Sequence, residues 1–438
     1  MFSFFSFFFL LKEKKRKKKK KKKKNMETHV CTSSTTGPLS SMTFGLMLGK
    51  GHEFRDLTLV NSKLTTKEAM LIISKVFEMP LFQTLGFTGY PHTTEILPHL
   101  VKTILRTKRP CKLVLNGVKL DTRGFFVLAQ LLYTHTTLCL LDLTNTINAD
   151  TAYFITEPLR HNRSITHLEL KNNLALTATN VRNLCDALMH HRTFKSLNLS
   201  GCLLFNESVL HVLKLARTNH SFTELNLSKN EFSAHAADFL TGTALTMLYL
   251  TDNKLTNRAL GNLYEALAIN TTLTILEAPR HNKLTEPVPI RPNVLSANTT
   301  LVQLNLTCWN LTVDSLSTIL MEVATSRALR VFRHKTSNAI CLAVVSQTVN
   351  LLRQNRTLVG FELGNMPVES HKQVLVDAMR SNPSIRHLGK SYPDLDPFTA
   401  RNKHNRIMKT RTLLTMMIAR PVIKNTLNNH TPKRQRTQ

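Results

Sequence analysis

Few residues of this chain have the types and spacing that catalysis requires. Gly45 to Gly51 approaches a phosphate-binding loop, but it has three residues instead of four between its first two glycines and lacks the Ser or Thr that would hold magnesium. His190 and His191 stand together at the end of a helical pattern, where a histidine pair is typical of a polar helix terminus. We interpret the first segment as linker and the second as helix end.

Other catalytic and metal-binding spacings are missing from the sequence. It contains no H-E-x-x-H, no G-x-S-x-G and no C-x-x-C. We therefore predict that the chain is not an enzyme and has no cofactor, no metal site and no small-molecule substrate. Stacked repeats could still bring histidines and carboxylates together on one surface.

The cysteines are dispersed at long spacings, which favours buried reduced thiols over disulfides or zinc. They are Cys31, Cys111, Cys139, Cys185, Cys202, Cys308 and Cys341. Reduced thiols and the lack of a secretory signal predict a cytoplasmic protein, with the nucleus as the alternative. N-x-[ST] triplets occur, but the repeat itself generates them, and we expect no glycosylation.

A repeating apolar pattern, L-x-x-L-x-L, runs from Phe54 to about Lys390. Successive starts are 27 to 29 residues apart, except for one step of 23. The thirteen starts are Phe54, Phe82, Pro110, Leu138, Ile165, Phe194, Phe222, Leu245, Leu273, Leu301, Leu329, Leu358 and Ile385. So regular a series predicts one stacked repeat domain over residues 54–390.

Each repeat contains a strand pattern followed by a helix pattern. Leu141 and Leu143 are two residues apart, so on a strand both point to one side. Val181 to Leu188 has apolar residues at i, i+3, i+4 and i+7, which predicts a helix. Because one such unit cannot bury its apolar side alone, neighbours must stack. The sequence predicts an α/β solenoid of about 12–13 repeats, with a concave parallel sheet and convex helices.

The repeat length, the outer helix and certain loop sequences together resemble the ribonuclease-inhibitor type of leucine-rich repeat. These loops are His161–Ile165, Ile269–Leu273 and Gln354–Leu358, and the resemblance covers some 340 of 438 residues. It implies a horseshoe fold whose family members mostly bind other proteins. Those members include ribonuclease inhibitor, Ran GTPase-activating protein, tropomodulin and the sensor half of immune receptors.

The resemblance also implies an asparagine in the turn after each strand. Asn173, Asn230 and Asn253 fit, and Cys202 is a known type of substitute. The equivalent positions that do not fit are Thr146, His281, Trp309, Ser337 and Met366. We expect the ladder of turn residues to be broken there and the geometry to be looser.

Two segments depart from the regular repeat. The step of 23 residues leaves Ser233 to Thr243 room for two helical turns at most. Glu286 to Pro292 contains three prolines, which exclude a regular helix because each removes a donor and clashes with the preceding turn.

Most of the net charge of +30 belongs to the ends. Residues 1–25 contribute +11 and residues 391–438 contribute +8, which leaves +11 for the 365 residues between. Residues 1–25 are first Phe-rich and then polylysine. We interpret them either as low-complexity sequence before a start at Met26 or as a peripheral anchor or import signal. We assign 26–53 to a linker or cap and 391–438 to a basic cap helix and disordered tail. The alternative for this last segment is binding to an acidic membrane or partner.

Residues that face the concave side of the predicted sheet are the candidate site. They are Asp142, His167, Glu169, Asn198, Glu224, Asn226, Tyr249, Asp252, Glu277, Asn305 and Arg333. The column between the strand leucines is acidic to neutral inside a basic chain, and Arg333 marks a basic zone near the last repeats. This arrangement predicts a basic protein partner, with Tyr249 as an aromatic anchor. The alternative is that these positions are polar only for solubility.

The leading interpretation is therefore a noncatalytic protein-interaction scaffold. The resemblance to Ran GTPase-activating protein suggests a regulator of a small GTPase as one alternative, although the tail here is basic where that family has an acidic one. A second alternative is an adaptor that binds nucleic acid or acidic membrane through its basic tails.

Overall fold

The computed structural model describes residues 27–32, 54–60, 64–106, 111–134, 137–280, 286–335, 341–364 and 368–388, together with Thr399 and Asn402. Gly45 to Gly51, residues 1–25 and, apart from Thr399 and Asn402, residues 391–438 lie outside these residues, so the predictions made for them remain predictions. The chain divides into two compact units between Leu263 and Tyr264.

Unit 1 contains nine parallel strands that pair in chain order. The strands are β1 (Glu27–Thr32), β2 (Phe54–Val60), β3 (Thr84–Thr88), β4 (Cys111–Asn116), β5 (Leu138–Asp142), β6 (His167–Glu169), β7 (Ser196–Asn198), β8 (Glu224–Asn226) and β9 (Met247–Tyr249). Its helices are α1 (Thr66–Phe77), α2 (Thr93–Arg106), α3 (Thr122–Tyr133), α4 (Tyr153–His161), α5 (Ala178–Leu188) and α6 (Asn206–Thr218). Helix α7 (Asn257–Ala266) contains the division between the units.

Unit 2 contains five parallel strands that also pair in chain order. They are β10 (Ile275–Glu277), β11 (Gln303–Asn305), β12 (Val331–His334), β13 (Gly360–Leu363) and β14 (His387–Leu388). The helices are α8 (Val294–Ala297), α9 (Val313–Thr325), α10 (Leu342–Gln354) and α11 (Val368–Ser381).

Local sequence explains each strand–helix pair. In β6 the buried Leu168 stands between two half-buried residues, which is the alternation expected of a strand with one face in the core. Helix α5 begins after Thr177, whose hydroxyl accepts from the backbone N–H of Asn180. It buries Val181, Leu184, Cys185 and Leu188, as the sequence predicted. The predicted α/β leucine-rich-repeat solenoid is thereby confirmed within each unit.

Three local predictions can be compared with the structure. The repeat of 23 residues crosses its outer side with a 3₁₀ helix, Ala237–Leu240. This agrees with the prediction of at most two helical turns. The described residues 286–292 form no helix, in agreement with their prolines. The six cysteines from Cys111 to Cys341 are free, but Cys139 and Cys308 are only half-buried and Cys341 is exposed, so the prediction of burial is wrong for Cys341. Strand β1, within the predicted linker or cap, was not foreseen.

Asparagine side chains fasten each turn to the preceding repeat. Asn230 is fully buried, its Nδ2 donates to the carbonyls of Leu199 and Leu227, and its Oδ1 accepts from the backbone N–H groups of Cys202 and Leu204. Asn173 and Asn253 donate to the matching carbonyls of their own and the preceding repeats. These amides satisfy backbone groups that the turn would otherwise leave buried without partners.

The expected breaks in this ladder are wrong at both positions that the structure describes. Thr146 Oγ1 donates to the carbonyl of Leu115, and Trp309 Nε1 donates to the carbonyl of Ala278 at 2.8 Å. Hydroxyl and indole donors reach the same carbonyl that asparagine reaches elsewhere. His281, Ser337 and Met366 lie outside the described residues.

A second asparagine ladder fastens the loops that enter the strands. Each amide donates to the preceding repeat and accepts from the backbone N–H two residues further on, and most also accept from the N–H three residues further on. Its members include Asn162, Asn219, Asn298, Asn355 and Asn382, all buried. His191 occupies the equivalent position in one loop, and Arg163 Nη1 supplies donors there to the carbonyls of Arg160 and Asn162. Two hydrogen-bonded ladders therefore flank the sheet.

Candidate protein-binding surface

The strand face is the side of each sheet that points away from its helices. In unit 1 the strand register places one column of residues side by side, namely Asp142, Glu169, Asn198, Asn226 and Tyr249. A neighbouring column contains Leu140, His167, Ser196, Glu224 and Met247. All ten are half-buried. Seven of the eleven predicted site residues thus lie on the strand face of unit 1. Asp252 is an eighth, just beyond the edge of that face.

Three members of the central column also have a structural role. Asp142 Oδ1 accepts from the backbone N–H of Thr144 at 2.8 Å, and Asn198 and Asn226 each accept in the same way from the residue two positions on. These are Asx turns, in which a side-chain oxygen accepts in place of a backbone carbonyl of the neighbouring strand, so the strand ends there. The sequence pattern did not show that this column would fix the strand ends.

Glu169 is the most perturbed acid of this face. Burial raises the pKa of its carboxyl, and the nearby Asp142 and Glu224 raise it further. Asn198 Nδ2 donates to Glu169 Oε2 at 2.6 Å, which partly offsets that effect by stabilising the carboxylate. Three carboxylates therefore share one small area whose central member is poorly solvated.

His167 lies beside these acids and is half-buried as well. Burial lowers the pKa of its imidazole, Glu224 raises it, and Lys112 and Lys195 lower it. Its Nδ1 is 2.7 Å from Thr166 Oγ1. The neutral imidazole is thus favoured, and it does not cancel the charge of the carboxylates.

Glu224 and Tyr249 differ from the residues that end strands. The carboxylate of Glu224 accepts no hydrogen bond and forms no ion pair within the part of the chain that the structure describes. The hydroxyl of Tyr249 lies 3.8 Å from Met247 Sδ, and the residue is half-buried on the face. An acidic group and an aromatic–methionine pair are therefore presented on the last two strands of unit 1.

Some features of this surface were not predicted. Lys112, Val114, Leu140 and Met247 lie on the same face, so its chemistry is acidic in the centre but mixed at the border. Their positions, just before or between the strand leucines, carry the signal that could have identified them. Asp252 lies in the turn beyond β9, with φ of 57°, and not on the strand itself.

The predicted residues of unit 2 form an internally paired cluster. Glu277 Oε2 accepts from Asn305 Nδ2 at 2.6 Å, and its Oε1 accepts from Gln303 Nε2 and from Arg333 Nη1, the latter at 3.1 Å. On the next strand Lys335 Nζ lies 2.8 Å from Glu362. The Glu277 carboxylate is already saturated by donors from its own unit. We therefore place the candidate site in unit 1.

The described residues offer little else for chemistry. No group of three or more His, Cys, Asp or Glu side chains among them could hold a metal ion. Within the same residues, no helix is both long enough and apolar enough to pass through a bilayer. The features in hand are thus the repeating parallel sheet, its two ladders and one polar strand face, and these define a leucine-rich-repeat protein.

Comparison with known proteins adds structural similarities only. No family model and no curated protein matches the sequence. Among solved structures, an internalin (InlF) from Listeria monocytogenes is 14% identical, with 75% of this chain and 89% of that chain covered and a TM-score of 0.41. The actin-binding site 2 of leiomodin-1 is 12% identical, with 60% and 95% covered and a TM-score of 0.19. Both scores are low, and neither match assigns a partner or an activity to this chain.

Proposed function

We propose that the chain is a noncatalytic protein-interaction scaffold of the ribonuclease-inhibitor-like type. The strand face of unit 1 binds a partner segment rich in lysine or arginine. The observation that carries this proposal is the registered group of Asp142, Glu169 and Glu224, next to the half-buried Tyr249. Among the described residues no ion pair joins these clustered carboxylates to a cation, so a basic ligand would stabilise them, and aromatic residues are enriched at interfaces.

Repeat chemistry supports the proposed subtype. Most repeats of 27 to 29 residues carry a helix of nine or more residues, the exception being the proline-containing repeat with α8, and N-x-[ST] loops recur before the strands. The free cysteines support our proposal that the protein works in the cytoplasm or nucleus, where thiols stay reduced.

The test is partner capture with a variant that carries Glu224→Lys and Tyr249→Ala. Neither side chain ends a strand, so the fold should survive. The matched control carries Glu207→Lys and Tyr153→Ala on the helix side, where both residues are exposed. Proteins retained by the control and the unchanged chain, but lost from the strand-face variant, are the expected result. Identical captures from all three would contradict the proposal and leave the face polar for solubility alone.

A further inference from the structure

A second surface of unit 1 lies where the helices end and the chain turns back toward the sheet. A groove of about 740 Å³ opens there, lined by residues that follow or end α4, α5 and α6. Its polar lining includes Arg163, His190, Arg192 and His220, and Met189 contributes apolar surface. Three consecutive repeats contribute to it.

The groove has no acidic residue in its lining. Within the described residues, the side chains of His190, Arg192 and His220 form no hydrogen bond and no ion pair, and all three residues are exposed. The neighbouring acids are paired elsewhere, since Glu157 lies 3.0 Å from Arg160 and Asp186 lies 3.7 Å from Lys214. Basic groups in the groove are therefore available to a ligand.

Cationic residues near helix C-termini also complement the helix dipole. That effect explains Arg163, whose Nη1 donates to the carbonyls of Arg160 and Asn162 at 2.8 and 2.7 Å. It does not explain why Arg192 and two histidines border the same cavity without contacting any carbonyl. His191 in the same loop is buried, and burial lowers its pKa to about 4. The positive charge of Arg163 contributes to that shift.

We propose that this groove binds an extended acidic peptide segment of a partner protein. Its basic groups are distributed over three repeats, which suits carboxylates spaced along a chain better than one compact oxyanion. Arg192 would pair with a carboxylate and the Met189 side chain would contact the peptide's aliphatic carbons. This inference rests on the proposed scaffold function but assigns it a second surface of opposite charge to the strand face.

The test uses the full-length chain and a decaglutamate peptide that carries a benzophenone photo-crosslinker, at about 150 mM salt so that distant charges are screened. Adducts are located by mass spectrometry, because the basic ends would also attract the peptide and must be distinguished by site. Arg192→Gln is the test variant. Arg182→Gln on α5, also exposed, is the matched control.

We expect adducts at 189–192 and 218–221, reduced roughly tenfold in Arg192→Gln, which corresponds to about 1.4 kcal/mol, and unchanged in Arg182→Gln. A decaglutamine peptide should give none. Adducts confined to the basic ends, or lost equally in both variants, would overturn the proposal. The proposal would also be overturned if millimolar inorganic phosphate competed fully with the peptide and the same concentration of free glutamate did not. The strand-face variant should retain groove labelling, so failure of one surface is separable from failure of the other.

Discussion

At the scale of single residues, His191 is the member of the strand-entry ladder that cannot do what asparagine does. Within the described part of the chain its Nε2 is buried without a hydrogen-bond partner, whereas the Nδ2 groups of Asn162, Asn219 and Asn298 each donate to a carbonyl of the preceding repeat. We expect His191→Asn to raise the free energy of unfolding by about 1 kcal/mol near neutral pH, since a buried unsatisfied group is replaced by a hydrogen-bonded one.

The gain from His191→Asn should grow in acid. The folded pKa of His191, about 4, lies below its ordinary 6.5, so between these values the unfolded chain takes up a proton that the folded chain does not. Stability is therefore lost as the pH falls through this window, and the asparagine variant avoids that loss. Urea unfolding near pH 8 and near pH 5 checks this. His190→Asn, at the exposed neighbour, should change nothing.

Glu169 has the opposite linkage. Its raised pKa means that the folded chain binds the proton more tightly than the unfolded chain, so stability is fully present in acid and decreases as the pH rises. Glu169→Gln keeps an oxygen that accepts from Asn198. It removes the negative charge that lies opposite Asp142 on the neighbouring strand. We expect a gain of roughly 0.2–1 kcal/mol near neutral pH. Melting temperatures measured near pH 4 should show no gain, and an equal gain there would be incompatible with this explanation.

At the scale of elements, the turn after each strand depends on one amide. Asn230→Ala would remove the acceptor of the buried N–H groups of Cys202 and Leu204 and the amide donor to the Leu199 carbonyl, while the Leu227 carbonyl keeps Asn253 as its donor. A loss of about 1–3 kcal/mol or more follows from the cost of buried unsatisfied groups. Asn230→Cys should cost less, because Cys202 Sγ already donates to the Leu170 carbonyl in the adjacent turn. Denaturant midpoints would rank the two, and the reverse order would contradict this account.

The proline-containing repeat of unit 2 depends on a buried carboxylate. Glu322 of α9 is 7% exposed and accepts from the backbone N–H groups of Asn293 and Leu295, at the beginning of the four-residue α8. Glu322→Leu should cost about 2 kcal/mol or more, since the buried N–H of Leu295 and the part-buried N–H of Asn293 lose their acceptor. Glu322→Gln retains one oxygen and should cost less. Limited proteolysis would report opening between residues 286 and 297, and equal resistance of both variants would argue against the role.

The elements themselves could be predicted from spacing, because leucines two apart and helical i, i+3, i+4 patterns reflect backbone geometry. The contacts between repeats could not. Trp309 and Thr146 look like breaks in a ladder of asparagines, yet each presents a donor at the right distance. Likewise, the position of Asp142 marks it as exposed, but only coordinates reveal that its carboxylate ends a strand. One-dimensional patterns indicate which side a residue faces and not which partner it finds.

At the scale of the whole molecule, charge is unevenly distributed along the chain. Residues 1–25 and 391–438 contain +19 of the net +30. We expect retention on a polyanion such as heparin to fall steeply with salt, because such binding releases counterions. Removal of both ends should abolish most of it, while capture by the strand face persists. If partner capture disappears with the ends instead, the adaptor alternative replaces the scaffold proposal.

The two asparagine ladders also bear on how such a chain can lengthen. Asn219 contacts Leu188 and His191 of the repeat before it in the way that Asn298 contacts Leu267 and Asn270, so the joints built on asparagine are chemically alike. Carbonyls at the end of the outer helix accept in these joints, as Leu188 of α5 does, and the repeat with only a 3₁₀ turn keeps the turn ladder through Asn253. Gene duplication or deletion between repeats that share the same asparagine joint therefore yields a joint that already fits.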